Sequence, residues 1–320
     1  MHADRARPNP GAIRAPGSRG RSNQHLQDFL VAADRGSFLD RLQDGVVRTG
    51  GALCVGLDPV LDALPSSLTR DEQGVRSYCL QLIEATAPYA VAFKPNAAFF
   101  EVLGGHGWPL LAEVVGEASR HALVIVDAKR GDIGPTAAAY VSAMFDFLGA
   151  DACTVNGYLG GDAVAPFLVR PDRMAFVLCR TSNPGARDLQ DLRLTETGEP
   201  LYLHLARMAR VWNDSPPTGT VGLVVGATWP RELAAVRQQA PGLPFLIPGV
   251  GAQGGDLEAA VAAAGGAHGP YLINVSRGIG QASLGPDFVG AAAAAAAGYL
   301  TRLQLARSTG QDGVGGGAES

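Results

Sequence analysis

ALVIVDAKRGDIGPT, residues 122 to 136, begins as an unbroken apolar run and ends in a burst of charge. Apolar residues without alternation, rich in Val and Ile, read as a strand covered on both faces, as in a parallel sheet buried between helices. Asp127, Lys129 and Asp132 follow where such a strand hands over to a loop. On an extended strand Asp127 and Lys129 lie two apart and share a face. Gly131 then turns the chain, so Asp132 can reach elsewhere, as far as a neighbouring subunit. An unpaired charge beside so apolar a run is costly to desolvate, so these groups read as a site rather than as ordinary surface.

Seven further runs have the same form: ALCVGLD (52–58), AVAFKPN (90–96), ACTVNGY (152–158), MAFVLCRT (174–181), GLVVGAT (222–228), PFLIPGV (244–250) and YLINVSRG (271–278). Helix-like stretches alternate with them at 71–87, 107–120, 135–148, 160–169, 200–212, 231–240, 256–265 and 286–306. Eight strand–helix units predict a closed (β/α)8 TIM barrel, with a doubly wound open sheet as the alternative. Asp58, Lys94, Asn96, Asp127, Lys129, Asn156, Thr181 and Arg277 fall at or just after the ends of these runs. Barrel active sites are built at that face.

Composition narrows the class. The 320 residues carry a net charge of −4, which gives no electrostatic reason to expect nucleic acid or an anionic membrane as partner. No apolar stretch approaches the length of a membrane span; the alanine run at 291–297 is far too short. Cys54, Cys79, Cys153 and Cys179 stand singly in apolar runs, which reads as reduced core thiols of a cytoplasmic protein. The histidines are scattered, so no metal site is expected. Residues 1–24 carry five arginines against one acid among Pro, Gly and Ser, and predict a disordered basic arm, drawn as 1–35. That arm lacks the apolar segment of a secretory signal, and its Pro and Gly spoil the amphipathic helix of a transit peptide. The expected barrel covers 36–307, with a flexible tail at 308–320.

Two loops carry a phosphate signal. GVGAQGG (249–255) contains GxGxxG, yet it follows the seventh run, where a dinucleotide fingerprint would belong to an early unit. NVSRGIG (274–280) follows the eighth and supplies Arg277 beside Gly278. Barrels commonly hold phosphate with the loops after strands seven and eight. A third loop, RTSNPGARDLQDL (180–192), offers Thr181, Ser182 and Asn183 as donors and acceptors for the edge of a planar polar ring. In the charged cluster, Lys94 in AFKPN adds a second strand-end lysine. Carboxylates around a lysine stabilise its ammonium form, which suits proton donation and disfavours a Schiff base.

LDP (57–59), FKPN (93–96), DAKRGDIGPT (127–136), TSNPGA (181–186), PGVGAQGGD (248–256) and SRGI (276–279), in this order, resemble the orotidine 5′-phosphate decarboxylase family, bacterial type 2 branch. The resemblance runs from about 36 to 306. It implies decarboxylation of orotidine 5′-monophosphate to UMP, the last step of de novo pyrimidine synthesis, in a homodimeric barrel without metal or organic cofactor. By position in the motifs it implies Lys129 as proton donor, Asp127 beside the substrate carboxylate, and Lys94 as the other lysine of the tetrad. Asp132 would be donated across the dimer interface, followed by Ile133 and Thr136 near the partner's ligand. Asp58 matches a ribose ligand, with Asn96 close by; Ser182, with Thr181 and Asn183, matches the pyrimidine contact. Pro248, Gln253 and Gly254, with Arg277 and Gly278, match ring and phosphate contacts. The family more often has Gly where this chain has Ser276.

Two other readings fit parts of the pattern. A related metal-assisted aldol synthase also carries DxKxxD, but its second strand is expected to end in an acid, and Lys94 is a poor neighbour for Mg²⁺. A nucleotide-binding sensor without catalysis would be favoured by loss of a tetrad residue, and Lys94, Asp127, Lys129 and Asp132 are all present.

Overall fold

A computed structural model describes residues 36–215, 219–251, 254–265 and 269–312, with side chains through 308. The expected arm at 1–35 and Gln253 lie outside the described residues. Eight parallel strands close into a barrel in sequence order, β8 pairing with β1. They are β1 (Leu53–Leu57), β2 (Ala92–Pro95), β3 (Leu123–Arg130), β4 (Ala152–Val155), β5 (Met174–Arg180), β6 (Thr220–Val225), β7 (Phe245–Ile247) and β8 (Tyr271–Val275). Each lies within or within two residues of an expected run. Closure excludes the open sheet: Leu53 to Val55 register with Ile273 to Val275.

The helices are α1 (Phe38–Thr49), α2 (Glu72–Thr86), α3 (Gly107–Ala118), α4 (Gly134–Val141), α5 (Leu201–Asn213), α6 (Pro230–Gln239), α7 (Leu257–Ala264) and α8 (Phe288–Asp312). The helices depart from expectation in three places. The sequence reading places nothing at α1, although its signals are present. Ser37 and Asp40 form a reciprocal capping box, Gly50 ends the helix at φ +74°, and Phe38, Leu42 and Val46 recur every fourth residue on its buried face. The stretch 160–169 is not one helix but a turn at Gly161–Val164 followed by a 3₁₀ turn at Ala165–Leu168. Pro166 removes a helical donor there, and Gly161 lies so close to Trp212 that a Cβ would stand 2.6 Å from the indole nitrogen. At the other end, α8 runs on through Asp312, past the expected boundary at 307.

α1 plugs the N-terminal end of the barrel. Phe38 packs edge-on against Phe176, centroids 6.1 Å apart. Arg41 pairs with the buried Asp151 at 2.5 Å and donates to the Asp172 carbonyl. Asp151 also accepts from the Val124 N–H and from Arg173, so this buried carboxylate is fully partnered where the strands begin. The strand-end charges picked out in the sequence lie at the opposite, C-terminal mouth. The four cysteines are buried and free. Among the described residues no helix is long and apolar enough to cross a membrane.

Candidate active site

The mouth holds a cavity of about 310 Å³, lined from every side of the barrel by Asp58, Lys94, Asn96, Asp127, Lys129, Thr154, Thr181 to Asn183, Pro248, Asn274, Ser276 and Arg277, among others. Its size suits a small polar ligand. Leu178, Val224 and Leu246 form an apolar wall beside the charges.

At its floor Asp127 is the shared anion of two lysines. Lys94 Nζ lies 3.0 Å from one carboxylate oxygen and Lys129 Nζ 2.6 Å from the other. Burial pushes the Asp127 carboxyl up, but the two ammonium groups outweigh it and hold the group well below the usual carboxylate range. For Lys94, burial works against the charge, and the carboxylates of Asp127 and Asp58 overcome it, so its ammonium is held above the ordinary lysine value. Both groups therefore stay ionised through the neutral range. Asp58 Oδ1 is buried and makes no hydrogen bond among the described residues, which leaves an acceptor at the rim of the cluster.

Asp127 and Lys129 do meet, but not through the simple alternation of an extended strand. The pairing of β3 with β4 slips between Val126 and Arg130, and Lys129 takes φ +50°. It is the one non-glycine residue at positive φ among those described. A left-handed lysine costs about 1–2 kcal/mol and persists only where its surroundings impose it. Here the Lys129 N–H is taken by Thr154 Oγ1 at 2.9 Å, and that hydroxyl donates to Asp127 Oδ1 at 2.8 Å.

The loop after β5 is braced from below. Thr181 donates its N–H to Gln190 Oε1 and accepts from Gln190 Nε2, both at 2.9 Å, while its hydroxyl donates to Asn183 Oδ1 at 2.7 Å. Arg180, fully buried, pairs with Asp191 at 3.1 Å and stacks on Trp229, whose ring also meets Arg187. Across the mouth, the loop after β7 curls on itself through Gly251 N–H to Gly255 O and Gly255 N–H to Gly249 O, both 3.0 Å. Tyr299 of α8 supports this loop and the next. A Cβ at Gly278 would stand 2.4 Å from the Tyr299 hydroxyl and one at Gly251 2.8 Å, so glycine there allows close approach of the backbone.

Of the residues picked from sequence, Asp58, Lys94, Asn96, Asp127, Lys129, Thr181, Ser182, Asn183, Pro248 and Arg277 converge on the cavity. Gly254 and Gly278 sit in the adjoining loops and do not line it. Asp132, Ile133 and Thr136 do not line it either: Asp132 accepts the Ile133 N–H at 2.8 Å, and Ile133 is 52% exposed. Asp132 is half-buried and Thr136 exposed. Asn156, a strand-end residue, turns away and caps the Tyr158 N–H, while Thr154, two positions earlier, enters the site. Alternation along ACTVN gives Thr154 and Asn156 one face, but β4 ends at Val155, so only Thr154 is held to that face by the strand. Asn274, on β8, is likewise missed by the sequence reading.

A profile described as "Orotidine 5′-phosphate decarboxylase / HUMPS family" matches residues 51–293. The orotidine 5′-phosphate decarboxylase of Herpetosiphon aurantiacus is 47% identical over 268 residues, covering 83% of this chain and 98% of the relative. That of Thermomicrobium roseum is 50% identical over 261 residues, covering 81% and 92%. Among solved structures, the Leishmania donovani OMP decarboxylase superposes with a TM-score of 0.73 at 41% identity, covering 85% of this chain and 99% of that one.

Proposed function

The chain belongs to the orotidine 5′-phosphate decarboxylase / HUMPS family, and from that premise we propose that it converts orotidine 5′-monophosphate to UMP and CO₂ without metal or organic cofactor, using Lys129 as proton donor. The observation that carries this reading is the alternation Lys94–Asp127–Lys129 on the floor of the cavity, with one carboxylate between two ammonium groups.

The C6–carboxylate bond breaks, its electron pair stays on C6, CO₂ departs, and a proton moves from Lys129 Nζ to C6. Asp127 faces the departing carboxylate and holds the Lys129 ammonium in place through the 2.6 Å contact. Lys94 offsets the charge of Asp127, so the site binds an anion without a net negative floor. The developing carbanion is stabilised by ammonium groups already oriented, at little cost in reorganisation. Asp58 Oδ1, buried and without a hydrogen bond, suits a ribose hydroxyl, with Asn96 beside it. Thr181, Ser182 and Asn183 face the pyrimidine edge, and Pro248 its ring. Arg277 and the backbone of the loop after β7, with Gly254 and Gly278, take the phosphate. Phosphate is remote from the breaking bond, so its binding energy can order the loops around the charged cluster.

Asp132 completes the cluster from a second copy of the chain. Support for this comes from its position: it lies beyond the cavity of its own barrel, next to the exposed Ile133 and Thr136.

Following the absorbance of orotidine 5′-monophosphate with purified protein in EDTA tests the reading. Turnover should persist in EDTA, and Lys129→Ala should abolish it. Activity that requires a divalent metal would overturn the cofactor-free route; binding without turnover would favour a sensor; full turnover in Lys129→Ala would remove Lys129 as donor.

A further inference from the structure

We propose that Thr154 is a positioning residue, whose hydroxyl sets the relative geometry of the Asp127 carboxylate and the Lys129 ammonium. The inference rests on the decarboxylase reading above but concerns a residue that lies in neither DAKRGD nor any other motif of the family resemblance.

Thr154 sits on β4 with 1% of its surface exposed. A hydroxyl has one proton to give and lone pairs to receive with. Here both directions are forced. The Lys129 N–H can only donate, and it does so to Thr154 Oγ1 at 2.9 Å. The ionised Asp127 can only accept, so the Thr154 proton points at Asp127 Oδ1, 2.8 Å away. Lys129 Nζ reaches that same oxygen at 2.6 Å. The result is a closed loop of contacts: Lys129 backbone to Thr154, Thr154 to Asp127, Asp127 to the Lys129 ammonium.

That loop accounts for two otherwise unconnected features. The ladder between β3 and β4 is interrupted between Val126 and Arg130, which strips Lys129 of its regular strand partner. The Thr154 hydroxyl replaces that partner and holds the φ of +50°. The same hydroxyl fixes the rotation of the carboxylate, leaving Oδ2 to Lys94 at 3.0 Å. A valine in its place would keep shape and β-branching while freeing both the Lys129 backbone and one side of Asp127. Small displacements of a reacting group can cost about 100-fold in rate.

The test is Thr154→Val against Thr154→Ser, with Thr154→Ala as a third variant that keeps the comparison valid if burying valine impairs folding. The expected result is a fall in kcat of about 10- to 100-fold in Thr154→Val and Thr154→Ala. KM for orotidine 5′-monophosphate and the Kd for UMP should stay within about threefold, because the phosphate and ribose contacts are untouched. Thr154→Ser, which keeps the hydroxyl, should recover kcat to within about threefold of the parent. Equal kcat in Thr154→Val and the parent would overturn the proposal, as would failure of Thr154→Ser to exceed Thr154→Ala, or a loss confined to KM. An inactive parent enzyme would instead refute the decarboxylase reading itself.

Discussion

Replacing Lys94 by Met removes a charge and keeps the length of the side chain, so it isolates the electrostatic part of the floor. Lys94 is 5% exposed at its side chain and lies 3.0 Å from Asp127 Oδ2. At an effective dielectric of about 20, two unit charges at that distance attract by roughly 5 kcal/mol. Breaking a buried pair by removing one partner costs about 3–5 kcal/mol, because the other charge stays behind. Lys129 and Thr154 still hold the second oxygen of Asp127, which places the expected loss near the lower end, about 3 kcal/mol in urea unfolding at pH 7.

The pH dependence has a definite sign. In the parent, Asp127 is depressed, so its contribution is present above the ordinary carboxylate value of about 4 and is lost as pH falls through the lower folded value. Lys94 is raised, so its contribution is complete below the ordinary lysine value and is lost only as pH rises through the higher folded value. Without Lys94 the depression of Asp127 shrinks and the carboxyl takes up its proton at higher pH. The stability gap between parent and Lys94→Met should therefore hold from pH 7 down to the ordinary carboxylate value of about 4 and narrow as pH falls below it, where the parent loses the larger contribution. A gap below about 1 kcal/mol at pH 7, the range of a solvent-screened surface pair, would refute the reasoning. So would a gap that stays constant or widens as pH falls below about 4.

Two further outcomes follow from the placement of Arg277 and Asp132. Arg277→Ala should lower kcat/KM for orotidine 5′-monophosphate about 10- to 100-fold, the usual effect of losing a charge-assisted contact, with an unchanged far-ultraviolet dichroism spectrum; near-normal kcat/KM would reject the phosphate role. If Asp132 serves the neighbouring copy, mixing Lys129→Ala with Asp132→Asn and allowing subunits to exchange should restore about a quarter of parental activity, because each mixed dimer of two-fold symmetry rebuilds one intact site. Mixed dimers that remain inactive would place Asp132 in its own barrel's chemistry, and full activity of Asp132→Asn alone would give it no part.

Much of this architecture is legible in one dimension. Eight apolar runs of β-branched residues, each closed by polar or glycine-rich residues, require buried parallel strands, and the segments between them have the length and composition of helices. The positions of Asp58, Lys94, Asp127, Lys129 and Arg277 at run ends follow from the same count, since a strand end is a local property. α1 was legible too: SFLD before its apolar positions and GG after them are ordinary start and stop signals. The break at 160–169 was partly so, because Pro166 is visible, whereas the pressure of Trp212 on Gly161 comes from a residue some fifty positions away.

What the tertiary structure alone decided is which strand-end groups touch. Sequence periodicity assigns a residue to a face; it does not say what lies beside it on the next strand, because that depends on the stagger with which the barrel closes. The slip between β3 and β4 turns Lys129 left-handed and delivers its N–H to Thr154, while Asn156 is carried past the site. By itself the sequence determined an eight-unit barrel with two lysines and an aspartate at one mouth. Only the closed barrel, whose inter-strand register sets distances to a fraction of an ångström, made that aspartate the shared partner of both lysines and of a threonine outside every motif.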